Sequence, residues 1–352
     1  MNNTYIIAEA GVNHNGSLDR AMDMVDCAAA AGANAVKFQT FIAENLVTAQ
    51  APKAHYQQQT TGSGSQLSML KQLELTHQDH FALARRCGEK GIEFLSTPFD
   101  IPSLHFLVAS HLVRRIKIPS GELTHGPLLY AAAQTGHPLI VSTGMADPDE
   151  IGWALRVIVC GWRGDDPAHI DGRDPFVPDV DLLRSRVTLL HCTTSYPTPM
   201  EAVNLSAMVT LRQTFHTDVG YSDHTRGITI PIAAVALGAM VIEKHFTLDR
   251  NLEGPDHRAS LEPDELTAMV QGIRQVERAM GDGIKRPDQV ERGNAAVARK
   301  SVHASRFIPR GALFTADNLA IKRPGTGRSP QDYWRLLGTR ASRDYDADDP
   351  ID

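Results

Sequence analysis

The sequence predicts an α/β protein: a parallel (β/α)8 TIM barrel followed by a small C-terminal β-rich domain. Short apolar runs alternate with amphipathic helical stretches from Tyr5 to Met280, the pattern of repeated βα units around a parallel sheet. Eight such runs occur, the number that closes a barrel, and their C-terminal ends carry polar side chains that a packed core does not need.

The expected strands are Tyr5 to Gly11, Ala35 to Phe41, Ile92 to Pro98, Arg115 to Glu122, Leu139 to Gly144, Val187 to Cys192, Asp218 to His224 and Val241 to Leu248. Between them, Leu18 to Ala31, His77 to Lys90 and Glu262 to Met280 repeat apolar residues at three- and four-residue spacing, which predicts helices with one buried face. The proline- and aspartate-rich stretch Trp162 to Arg186 reads as an inserted surface loop before the sixth strand, on the side of the barrel away from a catalytic mouth. From Gly281 to Asn294 the chain is polar without a sustained apolar face, a linker. The expected division is a barrel domain over 1–281, a linker over 282–297 and a second domain over 298–352. That last part holds strand candidates Ser301 to Ala304 and Leu319 to Lys322, with turn signals at Pro309-Arg310-Gly311 and Pro324-Gly325-Thr326-Gly327. Such a small module buries little apolar surface by itself and is expected to lean on a larger body.

Composition narrows the class. The 352 residues are 42% hydrophobic and 22% charged, the balance of a globular protein with a large core. Four cysteines, Cys27, Cys87, Cys160 and Cys192, show no C-x-x-C spacing, so neither a disulfide framework nor a zinc ribbon is indicated. No basic leader and no apolar run of about 20 residues is present. The expectation is a cytoplasmic protein that engages no membrane, and the net charge of −6 argues against nonspecific binding to nucleic acid. The segment Gly11-Val12-Asn13-His14-Asn15-Gly16 lacks the glycine and lysine spacing of a dinucleotide fingerprint or P-loop. His14 reads either as a site residue or as a group that fixes this loop.

The strand ends carry the chemistry: Glu9; Lys37 with Gln39; Ser96 with Thr97; Lys117 with Ser120 and Glu122; Ser142 with Thr143; His191 with Thr193; Ser222 with His224; Lys244 with His245. Two lysines and several hydroxyls on one mouth suit a phosphate or a phosphate plus a carboxylate, since ammonium groups neutralise it and hydroxyls direct hydrogen bonds. The alternative for Lys37 and Lys117 is a buried ion pair with Glu9 or Glu122, and both readings can hold together. His224 and His245 are either satisfied core histidines or, with a nearby carboxylate and open positions, ligands of a catalytic divalent ion that polarises or orients an aldehyde oxygen. Glu9, Glu122 and Asp256 are then the groups to handle protons, water and sugar hydroxyls.

These segments also resemble a family. Ile7-Ala8-Glu9-Ala10-Gly11-Val12-Asn13-His14-Asn15-Gly16, Val36-Lys37-Phe38-Gln39-Thr40, Ser96-Thr97-Pro98-Phe99, Lys117-Ile118-Pro119-Ser120-Gly121-Glu122 and Ser142-Thr143-Gly144-Met145 are similar to bacterial sialic acid synthases. So are His191-Cys192-Thr193, Tyr196-Pro197-Thr198-Pro199, Ser222-Asp223-His224-Thr225, Glu243-Lys244-His245-Phe246-Thr247, Gly254-Pro255-Asp256-His257 and Lys322-Arg323-Pro324-Gly325, so the likeness covers nearly the whole chain. The resemblance implies an N-acetylneuraminate synthase, a transferase of polysaccharide biosynthesis that condenses phosphoenolpyruvate with an N-acetylated hexose, N-acetylmannosamine. Carbon C3 attacks the open-chain aldehyde, water adds at C2, and phosphate leaves with C–O cleavage. By matching positions, His224 and His245 bind Mn2+ or Mg2+; Lys37, Thr97, Lys117, Ser120, Ser142 and Ser222 hold phosphoenolpyruvate; Glu9 positions water; Gln39, Glu122, Tyr196 and Asp256 hold or activate the sugar. The C-terminal domain resembles the antifreeze-like (SAF) module, which in this family is exchanged across a domain-swapped homodimer so that Arg323 caps the partner's barrel mouth. About a dozen extended linker residues reach roughly 40 Å, enough for that exchange. Thr194 departs from members that have Asn there, which weakens its transfer as a phosphoenolpyruvate contact.

Three rivals remain at this level. A legionaminic acid synthase acting on 2,4-diacetamido-2,4,6-trideoxymannose uses the same barrel motifs. A non-catalytic sugar- or ice-binding protein leaves Lys37, Lys117, His224 and His245 unexplained. A metal-dependent aldolase using pyruvate needs no phosphate-binding hydroxyls.

Overall fold

Strands buried on both faces lose the in-out alternation of a half-exposed sheet and read as continuous apolar runs. That is how the eight runs fold in the computed structural model, which describes residues 3–170 and 179–352. They form β1 (Tyr5–Gly11), β2 (Ala35–Thr40), β3 (Glu93–Pro98), β4 (Ile116–Ile118), β5 (Leu139–Ser142), β6 (Val187–His191), β7 (Asp218–Asp223) and β8 (Val241–His245). The sheet order is β3-β2-β1-β8-β7-β6-β5-β4, every ladder in it is parallel, and β3 and β4 lie side by side to complete the barrel.

Register layers the interior. Ile7, Ala35, Leu95, Ile140, Leu190 and Val241 meet in one apolar cluster inside the barrel. Two residues further along the same strands stand Glu9, Lys37, Thr97, Ser142, Cys192 and Glu243, and the strand period of two keeps them on the same inward face. The barrel thus has an apolar floor with a polar layer directly above it. The intervening positions, such as Ile6, Ala8, Val36, Phe38 and Phe94, point outward into the main core, which the helices cover.

Several strands end one to three residues before their expected bounds, the eighth at His245 instead of Leu248, and three segments differ more deeply. The fourth strand stops at Ile118 instead of Glu122, because Pro119 cannot donate to a ladder and Ser120–Glu122 close a 3-10 turn in which the Glu122 N–H donates to the Pro119 carbonyl at 3.0 Å. The Trp162 to Arg186 stretch is not simply a loop. Its start finishes the helix Pro148–Arg163, Pro167–His169 form a 3-10 turn, and Val180–Arg186 form a helix capped by Asp179 and anchored by buried Leu183; residues 171–178 lie outside the described part. The stretch read as a linker contains the helix Gln289–Ala298, whose Asp288 and Glu291 form a capping box although none of its residues is buried. Capping rather than an apolar face starts this helix, which is why periodicity missed it. It spans about 15 Å, less than half the reach of the same residues extended.

An unforeseen excursion separates β2 from the helix His77–Lys90: three short helices, Ala43–Leu46, His55–Thr61 and Gln66–Lys71. None is long enough to display a helical period.

The chain divides into two compact units, residues 1–281 and 282–352. In the second, Ser301–Ala304 (β9) and Leu319–Lys322 (β10) pair antiparallel over a small core that includes Val302, Ile308, Phe314, Tyr345 and Ile351.

Candidate active site

At the C-terminal mouth of the barrel lies a cavity of about 330 Å3. Glu9, Lys37, Gln39, Thr97, Lys117, Ser120, Glu122, Ser142, Tyr196, Ser222, His224, His245 and Asp256 all line it. Arg323 belongs to the second unit, exposed just beyond β10.

Strand register makes the arrangement. Glu9 on β1 sits opposite Lys37 on β2 and His245 on β8. Lys37 Nζ lies 2.6 Å from Glu9 Oε2 and donates to Thr97 Oγ1 at 2.8 Å. On β8, Glu243 stands between both lysines, 3.3 Å from Lys117 and 3.7 Å from Lys37, and accepts from Ser222 Oγ at 3.0 Å. Glu243 is not among the site residues expected from the sequence, yet it is the carboxylate shared by both lysines of the pocket. The signal was its position two residues before His245, on the same face.

The other strand-end polars point away from the cavity, as alternation requires. Lys244 is fully buried and paired with Asp223 at 2.6 Å, Ser96 joins Thr40 and His80 in a buried hydroxyl–imidazole chain, Thr143 donates to the Leu190 carbonyl, and His191 meets the Val203 carbonyl. They hold the barrel wall in place. His14, buried, accepts from the Gly16 N–H through Nδ1 at 3.0 Å, so its contacts fix the loop.

Two glycines shape the pocket. Gly11 has φ +54° at a bulge in β1, and a Cβ there would lie 3.3 Å from Glu9 Oε1 and 3.4 Å from His245 Cε1. Gly144 donates its N–H to Ser120 Oγ at 2.9 Å, and an added Cβ would meet that oxygen at 2.8 Å.

Four ionisable groups crowd the floor. Burial pushes Glu9 up to about 7 against the pull of Lys37, helped by repulsion from Glu243. Burial also works to raise Glu243, but Lys117 and Lys37 together hold it down at about 2. Burial lowers Lys117, whereas Lys37, also penalised by burial, is raised by Glu243 and Glu9. Asp256 is lifted to about 6 by burial.

Two buried polar atoms on cavity-lining residues have hydrogen-bonding capacity to spare. Ser142 Oγ and His245 Nδ1 are buried without a hydrogen-bond partner, a condition that costs about 1–3 kcal/mol per group unless something binds there. The same observation tests the fit of a divalent ion. The His224 and His245 rings stand 5.6 Å apart between centroids, and burial keeps both imidazoles below their ordinary pKa and so neutral. His224 Nδ1 donates to the Thr193 carbonyl at 2.7 Å, which leaves Nε2 with its lone pair. Two neutral imidazoles fit a divalent ion. Among the described residues no group of three or more His, Cys, Asp or Glu is placed to hold a metal, so these two imidazoles are the residues that would hold one.

With this geometry in place, comparison with known proteins is decisive. The profile of the NeuB family matches residues 24–285. The chain belongs to the NeuB family. A SAF domain follows at 299–352. Among NeuB-family relatives, the N,N'-diacetyllegionaminic acid synthase of Campylobacter jejuni is 47% identical over 100% of this chain and 99% of its own length, and that of Legionella pneumophila is 44% identical over 97% and 92%. The crystal structure of an N-acetylneuraminic acid synthetase from Leptospira borgpetersenii superposes with a TM-score of 0.68 at 35% identity, covering 83% of this chain and 90% of that one. The family condenses phosphoenolpyruvate with a sugar to make nonulosonic acids, and this chain is a transferase of that kind.

Proposed function

We propose that the protein is an N,N'-diacetyllegionaminic acid synthase, condensing phosphoenolpyruvate with 2,4-diacetamido-2,4,6-trideoxymannose. The observation that carries this reading is full-length identity of 47% and 44% to two synthases of that product, against 35% to the sialic acid synthetase structure. It takes precedence over N-acetylneuraminate synthase, the first reading of the sequence.

In this proposal Lys37 and Lys117 neutralise the phosphate and carboxylate of phosphoenolpyruvate, while Thr97, Ser120, Ser142 and Ser222 orient it; the unpartnered Ser142 hydroxyl supports this placement. The C3–C1 bond forms as the aldehyde oxygen takes up a proton, a hydroxyl adds at C2, and the C2–O bond to phosphate breaks. Glu9, lifted towards neutrality, holds the water and takes its proton. Gln39, Glu122, Tyr196 and Asp256 hold the sugar, with Asp256 exchanging the proton at its oxygen. A Mn2+ or Mg2+ ion held by His224 and His245 supplies Lewis-acid polarisation of the aldehyde when bound. Arg323 from the SAF domain of a second copy is the expected cap, in a domain-swapped homodimer.

The test is phosphate release from phosphoenolpyruvate with Mn2+, comparing 2,4-diacetamido-2,4,6-trideoxymannose with N-acetylmannosamine. A higher kcat/KM for the diacetamido sugar supports the reading; preference for N-acetylmannosamine replaces it with the sialic acid synthase.

A further inference from the structure

The cavity has two chemically different sides. Its floor is the charged layer of Lys37, Lys117, Glu9 and Glu243, and one wall is apolar: Leu46, Val47, Met69, Leu70, Leu73 and Phe99. This wall comes from the excursion between β2 and the helix His77–Lys90, together with Phe99 after β3. It is built on a core of its own, in which Val12, Phe41, Ala43, Met69, Leu70 and Leu73 are buried separately from the main barrel core. Leu46, Val47 and Phe99 pack against that cluster yet stay only half-buried, so their free surface contributes to the cavity. Polar ties hold the excursion in place: Lys53 Nζ donates to Thr61 Oγ1 at 2.9 Å, the Ala43 N–H donates to Glu74 at 2.5 Å, and Lys71 pairs with Glu44. Gln57 and Gln66 also line this side, and they are tied to one another and to the backbone: Gln57 Oε1 accepts from the Ala54 N–H at 3.0 Å and from Gln66 Nε2 at 3.5 Å.

We propose that this wall is the specificity element of the sugar subsite and receives the deoxygenated C6 end of the hexose. The inference rests on the phosphoenolpyruvate–sugar reading above. The aldehyde carbon must reach C3 of a phosphoenolpyruvate anchored on the lysine floor, which directs the far end of the sugar away from the charged layer. A methyl group there is buried against aliphatic carbon, whereas a hydroxymethyl group loses water without gaining a partner. An apolar pocket discriminates against an added hydroxyl by up to about 100-fold, so the expected preference for the 6-deoxy sugar is about 10- to 100-fold in kcat/KM.

The decisive comparison uses two sugars that differ only at C6, 2,4-diacetamido-2,4,6-trideoxymannose and its 6-hydroxy analogue, with the wild type, Leu46→Asn and Val47→Thr. Both substitutions are close in size, and both positions are half-buried, which protects the fold. The expected result is a clear wild-type preference for the 6-deoxy sugar that collapses towards unity in the variants, with KM for phosphoenolpyruvate unchanged. Equal use of both diacetamido sugars by the wild type overturns the wall while leaving the proposed product class intact. A wild-type preference that survives in both variants also overturns it. Preference for N-acetylmannosamine over either diacetamido sugar sinks both proposals.

Discussion

Glu243→Gln is the most informative perturbation, because Glu243 is the carboxylate that keeps two buried lysines tolerable. Lys37 and Lys117 are each 3% exposed, and Glu243 lies 3.7 Å and 3.3 Å from them. Removing one member of a buried ion pair costs about 3–5 kcal/mol, because the remaining charge is left in low dielectric. Lys37 retains Glu9 at 2.6 Å, so the lower end, about 3 kcal/mol, applies. At about 2–4 °C per kcal/mol for a domain of this size, the ligand-free variant should melt roughly 6–12 °C below the wild type. An anion that occupies the floor supplies the missing countercharge. Phosphoenolpyruvate at about 100 times its Kd contributes about 2.7 kcal/mol by mass action alone, and the variant should bind it more tightly than the wild type because the repelling carboxylate is gone. The assay is thermal unfolding by circular dichroism with and without phosphoenolpyruvate. A ligand-free variant that melts with the wild type, or an equal rise in both proteins on adding phosphoenolpyruvate, refutes this account of the floor.

Burial holds Asp256 at about 6, above its ordinary 3.8, so the fold favours the neutral carboxyl. Its contribution to stability is whole below about pH 4 and is lost as pH rises through about 6, by about 3 kcal/mol. Melting of Asp256→Asn should therefore fall less than that of the wild type between pH 4 and 7, with turnover of the sugar lost; parallel pH curves contradict the assignment. Chelation should abolish phosphate release by the wild type and Mn2+ should restore it, whereas His224→Ala and His245→Ala should keep their circular dichroism spectra but gain nothing from added metal. Undiminished wild-type turnover in chelator removes the metal role. Arg323→Ala should raise KM for the sugar about 10-fold or more, the worth of one charged hydrogen bond, and leave KM for phosphoenolpyruvate unchanged; an equal rise in both rejects the cap.

The sequence made the barrel and the lining of its cavity legible by the same signal. A strand buried on both faces shows as an apolar run, and a polar residue at its C-terminal end has no packing reason to be there, so Glu9, Lys37, Lys117, Ser142, Ser222 and His245 could be picked out one strand at a time. What it could not do was sort those ends. Lys37 and Lys244 look alike in the sequence, yet one lines the cavity and the other pairs with Asp223 in the wall. The inward direction of each strand follows from which residue joins the apolar floor, and that is set by the register of eight ladders together.

Local chemistry was also decided by the chain itself where a single residue governs it: Pro119 ends β4, and Asp288 with Glu291 starts a helix where no apolar face exists. Tertiary structure alone decided the rest. Glu243 became the counterion of two lysines because β8 turns it into the barrel interior, where it meets Lys37 of β2 and Lys117 of β4, residues far apart in the chain. The excursion over residues 43–73 became a wall of the cavity because its short helices fold against Val12 and Phe99, which follow β1 and β3. Periodicity reports which side of an element is buried; only closure of the barrel determines what that side meets.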